Sequence, residues 1–121
     1  MGKNNVKKIL LVEDDKAIAK ALGIKLSHFE VDLAHDGEEA IEAIAKKNYD
    51  LILLDIMMPK LDGFGVMEAM KKKKNTTPIF ILTNLNQDDD VKRAKDLGAK
   101  DFLVKSNISL LEIVNKINNF F

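Results

Sequence analysis

Apolar residues cluster into five short runs along the chain, at residues 9–12, 31–34, 51–54, 79–82 and 102–104. Three of these runs, 9–12, 51–54 and 79–82, consist of four consecutive apolar residues. Such a pattern is typical of strands buried on both faces of a parallel sheet. The run at 31–34 contains Asp32 and alternates between apolar and polar positions, which predicts a strand at the edge of the sheet.

Between these runs, apolar residues recur every three or four positions, which is the spacing of one helical face. Such stripes begin at Ala17, Ala40, Val66, Val91 and Leu110. Strand and helix therefore alternate five times, which predicts an α/β fold with a doubly wound parallel sheet in three α/β/α layers. Sheets of this kind commonly have the strand order 2-1-3-4-5, and we expect that order here.

Polar residues at the predicted helix starts support these boundaries. Asp36 with Glu39, and Ser109 with Glu112, have the spacing of capping boxes. A capping residue satisfies backbone N–H groups that the first turn of a helix leaves without partners. The second and fifth helices are therefore expected to begin directly after Asp36 and Ser109.

Composition narrows the class of protein. The chain has 121 residues, enough for one domain, and its 46% hydrophobic content excludes a disordered chain. A net charge of zero argues against a nucleic-acid-binding module and against a polybasic membrane anchor. Cysteine is absent, which excludes disulfides, zinc ribbons and cysteine nucleophiles. The apolar runs are far shorter than the roughly 20 residues of a membrane span, so we expect a cytoplasmic protein.

Charge is nevertheless segregated along the chain. Acidic residues at 88–90 open the fourth predicted helix, and lysines at 71–74 close the third. Each run complements the dipole of its helix. Either run could instead form a patch for a partner protein, and that alternative stays open.

Chemically active side chains stand where four of the predicted strands end. They are Glu13 and Asp14 after the first strand, Asp55 after the third, Thr83 after the fourth and Lys105 after the fifth. In the expected strand order these ends converge on one pocket. Clustered carboxylates repel unless a cation compensates them, and an all-oxygen ligand set suits Mg²⁺. A carboxylate nucleophile, a hard metal ion, a hydroxyl and a lysine are the groups that hold a transferring phosphoryl group.

Each of these residues alone has a simpler interpretation. An aspartate after a strand is most often a helix cap, a lysine there is usually solvent-exposed, and Thr83 could accept a local backbone hydrogen bond. Asp55 precedes a segment that reaches Pro59 without a helix start, so the cap interpretation is weak there. The convergence of four strand ends favours the functional interpretation.

Four stretches of the sequence resemble the receiver domain of two-component response regulators. They are ILLVEDD at 9–15, DLILLDIMMPKLDG at 50–63, IFILT at 79–83 and GAKDFLVK at 98–105. The resemblance runs from about residue 7 to residue 117 and implies a flavodoxin-like (βα)₅ fold. It also implies a phosphoacceptor signalling domain that catalyses only its own phosphorylation and dephosphorylation and is otherwise not an enzyme.

The resemblance assigns roles to the acidic residues. Asp55 would receive a phosphoryl group from the phosphohistidine of a sensor histidine kinase or of a histidine phosphotransfer protein. Mg²⁺, with Mn²⁺ as a substitute, would be bound by the side chains of Asp14 and Asp55, by the backbone carbonyl of Met57, and through water by Glu13.

The resemblance also assigns roles to three residues around the phosphorylation site. Lys105 would pair first with Asp55 and then with the phosphoryl oxygens. Thr83 would donate its hydroxyl to the phosphoryl group and move toward it on activation. Phe102 stands at the aromatic switch position, although an ordinary core aromatic is the alternative interpretation of this residue.

Several residues depart from the family pattern or vary within it. Ser106 follows Lys105 where the family usually has a proline in a cis bond, so we expect a trans bond or a loop held by other contacts. Asn84 follows Thr83 where a small residue is usual and is expected to narrow access to the site. Gly65 replaces a common acidic residue and has no functional explanation in the sequence.

Apolar residues at two further positions lead to a hypothesis about hydrolysis. Met57 and Leu85 occupy the positions flanking the pocket that tune water attack in this family. We expect restricted hydration of the phosphorylated site, and hence slow self-dephosphorylation.

The expected output is a contact with a downstream protein. The surface of the fourth helix, fifth strand and fifth helix would carry it, including Lys92, Lys95, Lys100 and Asn107. We expect a single receiver domain over residues 1–121 with no output domain, no direct contact with nucleic acid or membrane, and a monomer or a phosphorylation-dependent dimer.

Three alternatives remain at this stage. A flavin- or nucleotide-binding module would need a phosphate-cradling loop after the first strand, but acidic residues 13–15 stand there. A haloacid-dehalogenase-type phosphatase would need an aspartate where Met57 stands. A non-catalytic or engineered flavodoxin-like scaffold or interaction module is the third, and the intact set of strand-end residues argues against a degenerate site.

Overall fold

The computed structural model describes residues 6–121. The strands are β1 (Lys8–Val12), β2 (Glu30–Ala34), β3 (Leu51–Leu54), β4 (Ile79–Thr83) and β5 (Asp101–Val104). The helices are α1 (Lys16–Lys25), α2 (Gly37–Lys46), α3 (Gly63–Lys72), α4 (Asp88–Asp96) and α5 (Leu110–Phe120). A 3₁₀ turn at Lys105–Asn107 connects β5 to α5. In the described part of the chain, no helix is long and apolar enough to cross a membrane.

The five strands form one parallel sheet in the order β2-β1-β3-β4-β5, which confirms the predicted topology. The last pairs in the register are Val12 with Leu54, Leu54 with Ile81, and Thr83 with Val104. The carboxyl ends of β1, β3, β4 and β5 therefore lie at one edge of the sheet, which is the edge where the sequence predicts the pocket.

Two separate apolar layers hold the helices against the sheet. On one face, α2, α3 and α4 pack through residues that include Ala40, Val66 and Ala94. On the other face, α1 and α5 pack through residues that include Leu22 and Ile117. All four residues of β3 are fully buried, because this central strand is covered on both faces. The three-layer prediction is confirmed.

The strand bounds differ slightly from the apolar runs. β1, β2 and β5 each begin one residue earlier, at Lys8, Glu30 and Asp101, and β4 continues to Thr83. Backbone pairing does not require an apolar side chain, so polar residues at strand ends join the ladder. β2 is an edge strand as predicted, and its Leu33 is an exposed apolar side chain.

One of the two predicted capping boxes is complete. Ser109 Oγ accepts from Glu112 N at 3.1 Å, and Glu112 Oε1 accepts from Ser109 N at 2.9 Å. Asp36 also caps its helix, with Oδ1 accepting from Glu39 N at 2.8 Å. The Glu39 carboxylate instead accepts from the N–H of His35, the residue before the cap. The prediction of a capping box at Asp36 is therefore wrong in its second half.

Candidate functional site

The sheet register sets the two central acidic positions side by side. The Asp55 N–H donates to the Val12 carbonyl at 3.1 Å, and the Glu13 N–H donates to the Ala34 carbonyl at 2.9 Å. Backbone hydrogen bonds therefore fix both residues at the point where the strands end. Their side chains are almost fully buried, at 1% exposed for Glu13 and 4% for Asp55.

Glu13, Asp14 and Asp55 form an acidic cluster with the composition of a magnesium site. Each offers a carboxylate oxygen, and these oxygens all lie within 4.8 Å of one another. Asp14 is exposed and lies at the mouth of the site, whereas the other two are buried. A ligand set made only of oxygens, open to solvent on one side, fits a hard cation that keeps some of its water.

Lys105 bridges the two buried carboxylates. Its Nζ lies 2.7 Å from Glu13 Oε1 and 2.7 Å from Asp55 Oδ2. Burial raises the pKa of Glu13 above its ordinary value, against the lowering effect of the Lys105 hydrogen bond. Burial by itself lowers the pKa of Lys105, but the hydrogen bonds to Asp55 and Glu13 outweigh it, so this pKa lies above its ordinary value. The pairing with Asp55 agrees with the resemblance, whereas the pairing with Glu13 escaped the sequence reasoning.

Hydrogen bonds occupy both oxygens of Asp55. Oδ2 accepts from Lys105, and Oδ1 accepts from the Met57 N–H at 3.1 Å. Close below, a Cβ added at Gly63 would lie 2.6 Å from the Asp55 carbonyl oxygen. The start of α3 therefore packs against the backbone of Asp55 at a distance that only glycine permits. The sequence held a signal for this contact in the glycine of the stretch 50–63.

The mouth of the site is an open cleft of about 460 Å³. Its lining includes Asp14, Met57, Leu85 and Asp62. The Met57 side chain is 56% exposed and Leu85 is half-buried, so both apolar groups stand at the opening. Their placement agrees with the sequence interpretation of these two positions as flanking the pocket.

Thr83 and Phe102 lie near the site with local contacts. Thr83 is fully buried, and its Oγ1 accepts a hydrogen bond from the Leu85 N–H at 3.2 Å. This local backbone bond is the simpler interpretation that the sequence allowed. Phe102 is half-buried and packs against the core layer formed by α2, α3 and α4.

Ser106 and Asn84, which both depart from the family pattern, are joined by a hydrogen bond. The peptide bond between Lys105 and Ser106 is trans. The Ser106 N–H donates to Asn84 Oδ1 at 3.0 Å. The expectation of a trans bond is confirmed, and Lys105 reaches into the pocket to contact Glu13 and Asp55.

The structure gives no packing explanation for Gly65. A Cβ at this position would collide only with the flexible end of the Leu61 side chain, which can move aside.

The proposed partner surface is accessible. A groove of about 420 Å³ beside β5 is lined in part by Lys95, Lys100 and Phe102. Lys92 forms an exposed ion pair with Asp96 at 3.0 Å. Asn107 lies at the end of the 3₁₀ turn.

Comparison with known proteins identifies the family. Residues 9–118 match the family model described as the response regulator receiver domain. The transcriptional regulatory protein DltR of Streptococcus agalactiae is 42% identical over 100 residues, which are 81% of this chain and 45% of that protein. The probable transcriptional regulator ycf27 of Cyanophora paradoxa is 43% identical over 103 residues, covering 84% of this chain and 43% of that protein. The chain therefore spans less than half the length of these relatives.

Solved structures agree with this assignment. The receiver domain of the Francisella response regulator 1452 has a TM-score of 0.86 at 33% identity and covers 93% of this chain and 94% of that one. The chemotaxis response regulator CheY4 of Vibrio cholerae has a TM-score of 0.87 at 27% identity, covering 97% of this chain and 100% of that one. The chain belongs to the response regulator receiver family, with its flavodoxin-like fold and phosphoacceptor signalling role.

Proposed function

We propose that Asp55 is the phosphoacceptor of this receiver domain. The observation that carries the proposal is the position of Lys105 Nζ, 2.7 Å from Asp55 Oδ2 and directly beside the acidic cluster. An ammonium group at this distance is placed to hold a phosphoryl oxygen once the carboxylate has been modified. The donor is a phosphohistidine of a sensor histidine kinase or of a histidine phosphotransfer protein.

Mg²⁺ or Mn²⁺ would be held by the side chains of Asp14 and Asp55 and by the Met57 carbonyl. When bound, the ion neutralises charge on the transferring phosphoryl group. Glu13 already accepts from Lys105 through Oε1 and from the Asp15 N–H through Oε2 at 3.1 Å. We propose that Glu13 contacts the ion through water, as the resemblance to the family implies.

The protein's own residues supply the nucleophile and its surroundings. A carboxylate oxygen of Asp55 attacks phosphorus, the phosphorus–nitrogen bond of the phosphohistidine breaks, and its electron pair remains on the imidazole. Lys105 then shifts its hydrogen bond from Asp55 to a phosphoryl oxygen. Thr83 donates its hydroxyl to another oxygen in place of the local contact with Leu85 N, and Phe102 packs inward behind it.

The signal leaves through the surface around α4, β5 and α5 to a downstream protein. We propose that this region works as one receiver unit in the cytoplasm, as a monomer or a phosphorylation-dependent dimer. We also propose that this region itself makes no direct contact with nucleic acid or membrane.

The experiment is an intact-mass measurement after incubation with Mg²⁺ and acetyl phosphate, a small phosphodonor. The parent protein is expected to gain one phosphoryl group, and Asp55→Asn or a chelator is expected to abolish the gain. Asp62→Asn is the matched control, because Asp62 lines the same cleft and caps α3, and asparagine caps equally well. A folded parent protein without an adduct would favour the non-catalytic or engineered scaffold instead.

A further inference from the structure

Asn84 and Ser106 stand directly beyond the paired part of two neighbouring strands. The register of β4 and β5 ends at Thr83 with Val104. One step further, the side chain of Asn84 accepts the Ser106 N–H at 3.0 Å, so hydrogen bonding between the two strand ends continues past the sheet. We propose that Asn84 is a positioning residue for Lys105, acting through the Ser106 N–H; this inference rests on the proposed function.

The geometry explains why the Lys105 backbone needs an anchor. Lys105 Nζ reaches Glu13 and Asp55 at once, at 2.7 Å each. A lysine side chain has large rotational freedom, and an unfixed backbone would add to the freedom lost in reaching both carboxylates. The Ser106 nitrogen is bonded to the Lys105 carbonyl carbon, so holding its N–H fixes the peptide plane on which Lys105 stands.

Among residues 6–121, no side chain other than Asn84 is seen to cap the turn that carries Lys105. The 3₁₀ turn at Lys105–Asn107 begins without a side-chain hydrogen bond at its first position. The Ser106 N–H bonds to a side-chain oxygen, Asn84 Oδ1, and not to a backbone carbonyl of the segment after β4. Proline at position 106 would lack the N–H group. Asn84 can therefore make this hydrogen bond only because residue 106 is not a proline.

The first measurement is amide hydrogen exchange at Ser106 in the unphosphorylated protein. Asn84→Ala is expected to speed exchange of this amide roughly three- to tenfold, as the loss of one modest hydrogen bond implies. Asn84→Asp keeps an acceptor oxygen and is expected to retain the protection. Equal exchange rates in the parent protein and Asn84→Ala would overturn the proposal, whether or not the protein can be phosphorylated.

The second measurement is the rate of phosphorylation by acetyl phosphate. Asn84→Ala is expected to slow it roughly three- to tenfold at saturating Mg²⁺, because Lys105 is misplaced while the acidic cluster is intact. Asn86→Ala is the matched control, since it removes an exposed asparagine from the same loop between β4 and α4. In a Lys105→Met background, Asn84→Ala is expected to have no further effect.

Three results of the phosphorylation measurement would contradict the proposal. The first is an unchanged phosphorylation rate in Asn84→Ala, and the second is a faster rate, which would mean that Asn84 only narrows access to the site. The third is an equal slowing by Asn84→Ala in the Lys105→Met background. A parent protein that takes up no phosphoryl group overturns the proposed function, and the exchange measurement still decides whether Asn84 holds the turn.

Discussion

At the scale of single residues, the ammonium group of Lys105 holds together two carboxylates that would otherwise repel. Glu13 and Asp55 are both buried, and Lys105 lies 2.7 Å from an oxygen of each. Two like charges about 4 Å apart at an effective dielectric near 20 repel by roughly 4 kcal/mol. The Lys105 ammonium group therefore compensates part of the carboxylate charge that a bound divalent cation would also compensate.

Lys105→Met is expected to separate metal binding from chemistry. Mg²⁺ affinity should rise roughly tenfold, because the lysine no longer competes for the carboxylates, while phosphorylation by acetyl phosphate should slow by a similar factor. Fluorescence or calorimetric titration and intact-mass kinetics measure the two quantities. Lys116→Met, which removes a surface lysine paired with Asp101, is the control. A parallel fall in both quantities would show that Lys105 only supports the fold.

Met57 sets a second prediction at this scale. Its side chain stands at the open mouth of the site, so a polar group there should admit and orient water. Met57→Asn is expected to speed dephosphorylation roughly tenfold. The decay of the intact-mass adduct measures this rate, with Leu111→Asn on the exposed face of α5 as the control. A phosphorylated lifetime of only seconds in the parent protein would contradict the hypothesis of slow self-dephosphorylation.

At the scale of elements, a polar network joins the edge strand β2 to the segment that follows α2. Tyr49 donates its hydroxyl to Asp32 Oδ2 at 2.7 Å, and Lys47 bonds to Glu30 at 2.6 Å and to Asp32 at 3.0 Å. The hydrogen bond from Tyr49 lowers the pKa of Asp32. Burial and the bond to Asp32 raise the pKa of Tyr49 from 10.0 to about 12. Charged groups along an open sheet edge also discourage pairing with another chain.

The network predicts an alkaline limit to stability. Tyrosine is neutral in the folded protein up to about pH 12, whereas the unfolded chain loses this proton near 10.0. The contribution of Tyr49 is therefore complete below pH 10 and is lost as the pH rises toward 12. Tyr49→Phe should cost about 0.5–1.5 kcal/mol of unfolding free energy at pH 7.

The difference in unfolding free energy between the parent protein and Tyr49→Phe should become smaller above pH 10. Urea unfolding at pH 7, 10 and 11.5 measures it. Taking the difference between the two proteins cancels the titration of the lysines that both share. A difference that stays constant over this range would contradict the assigned hydrogen bond.

Helix ends show where sequence reasoning succeeds and where it fails. The spacing of Ser109 and Glu112 predicted a capping box that the structure contains. The same spacing at Asp36 and Glu39 predicted a second box, yet the Glu39 carboxylate bonds to His35 N. Spacing brings a glutamate within reach of two neighbouring N–H groups, and only the path of the preceding loop decides between them.

At the scale of the whole molecule, alternation of apolar runs and helical stripes was sufficient to predict the sheet order, because crossover rules leave few topologies open. The strand-end residues could be found for the same reason. The contacts of Lys105 with Glu13 and of Asn84 with Ser106 could not. They depend on side-chain rotamers and on the route of a short turn, which no periodicity encodes.

The chain has 19 basic and 19 acidic residues, so its net charge gives no sign of the acidic cluster at the strand ends. We expect Mg²⁺ binding to this cluster to stabilise the whole folded protein. An ion that binds only the folded protein should raise its unfolding free energy by about 2.7 kcal/mol when the free ion is about 100 times Kd. Chelation should reverse the gain, and Asp14→Asn should remove most of it. Thermal unfolding with and without Mg²⁺ measures the effect, and an equal gain in Asp14→Asn would place the ion elsewhere.

The central claim is that Asp55 carries the phosphoryl group, and the most direct test is to locate that group. The phosphorylated protein is reduced with borohydride, which converts an aspartyl phosphate to homoserine, and is then digested and sequenced by tandem mass spectrometry. The structure predicts homoserine at position 55 in samples that contained Mg²⁺ and none in samples treated with a chelator. Homoserine at Asp14 or at any other aspartate, with position 55 unmodified, would contradict the claim.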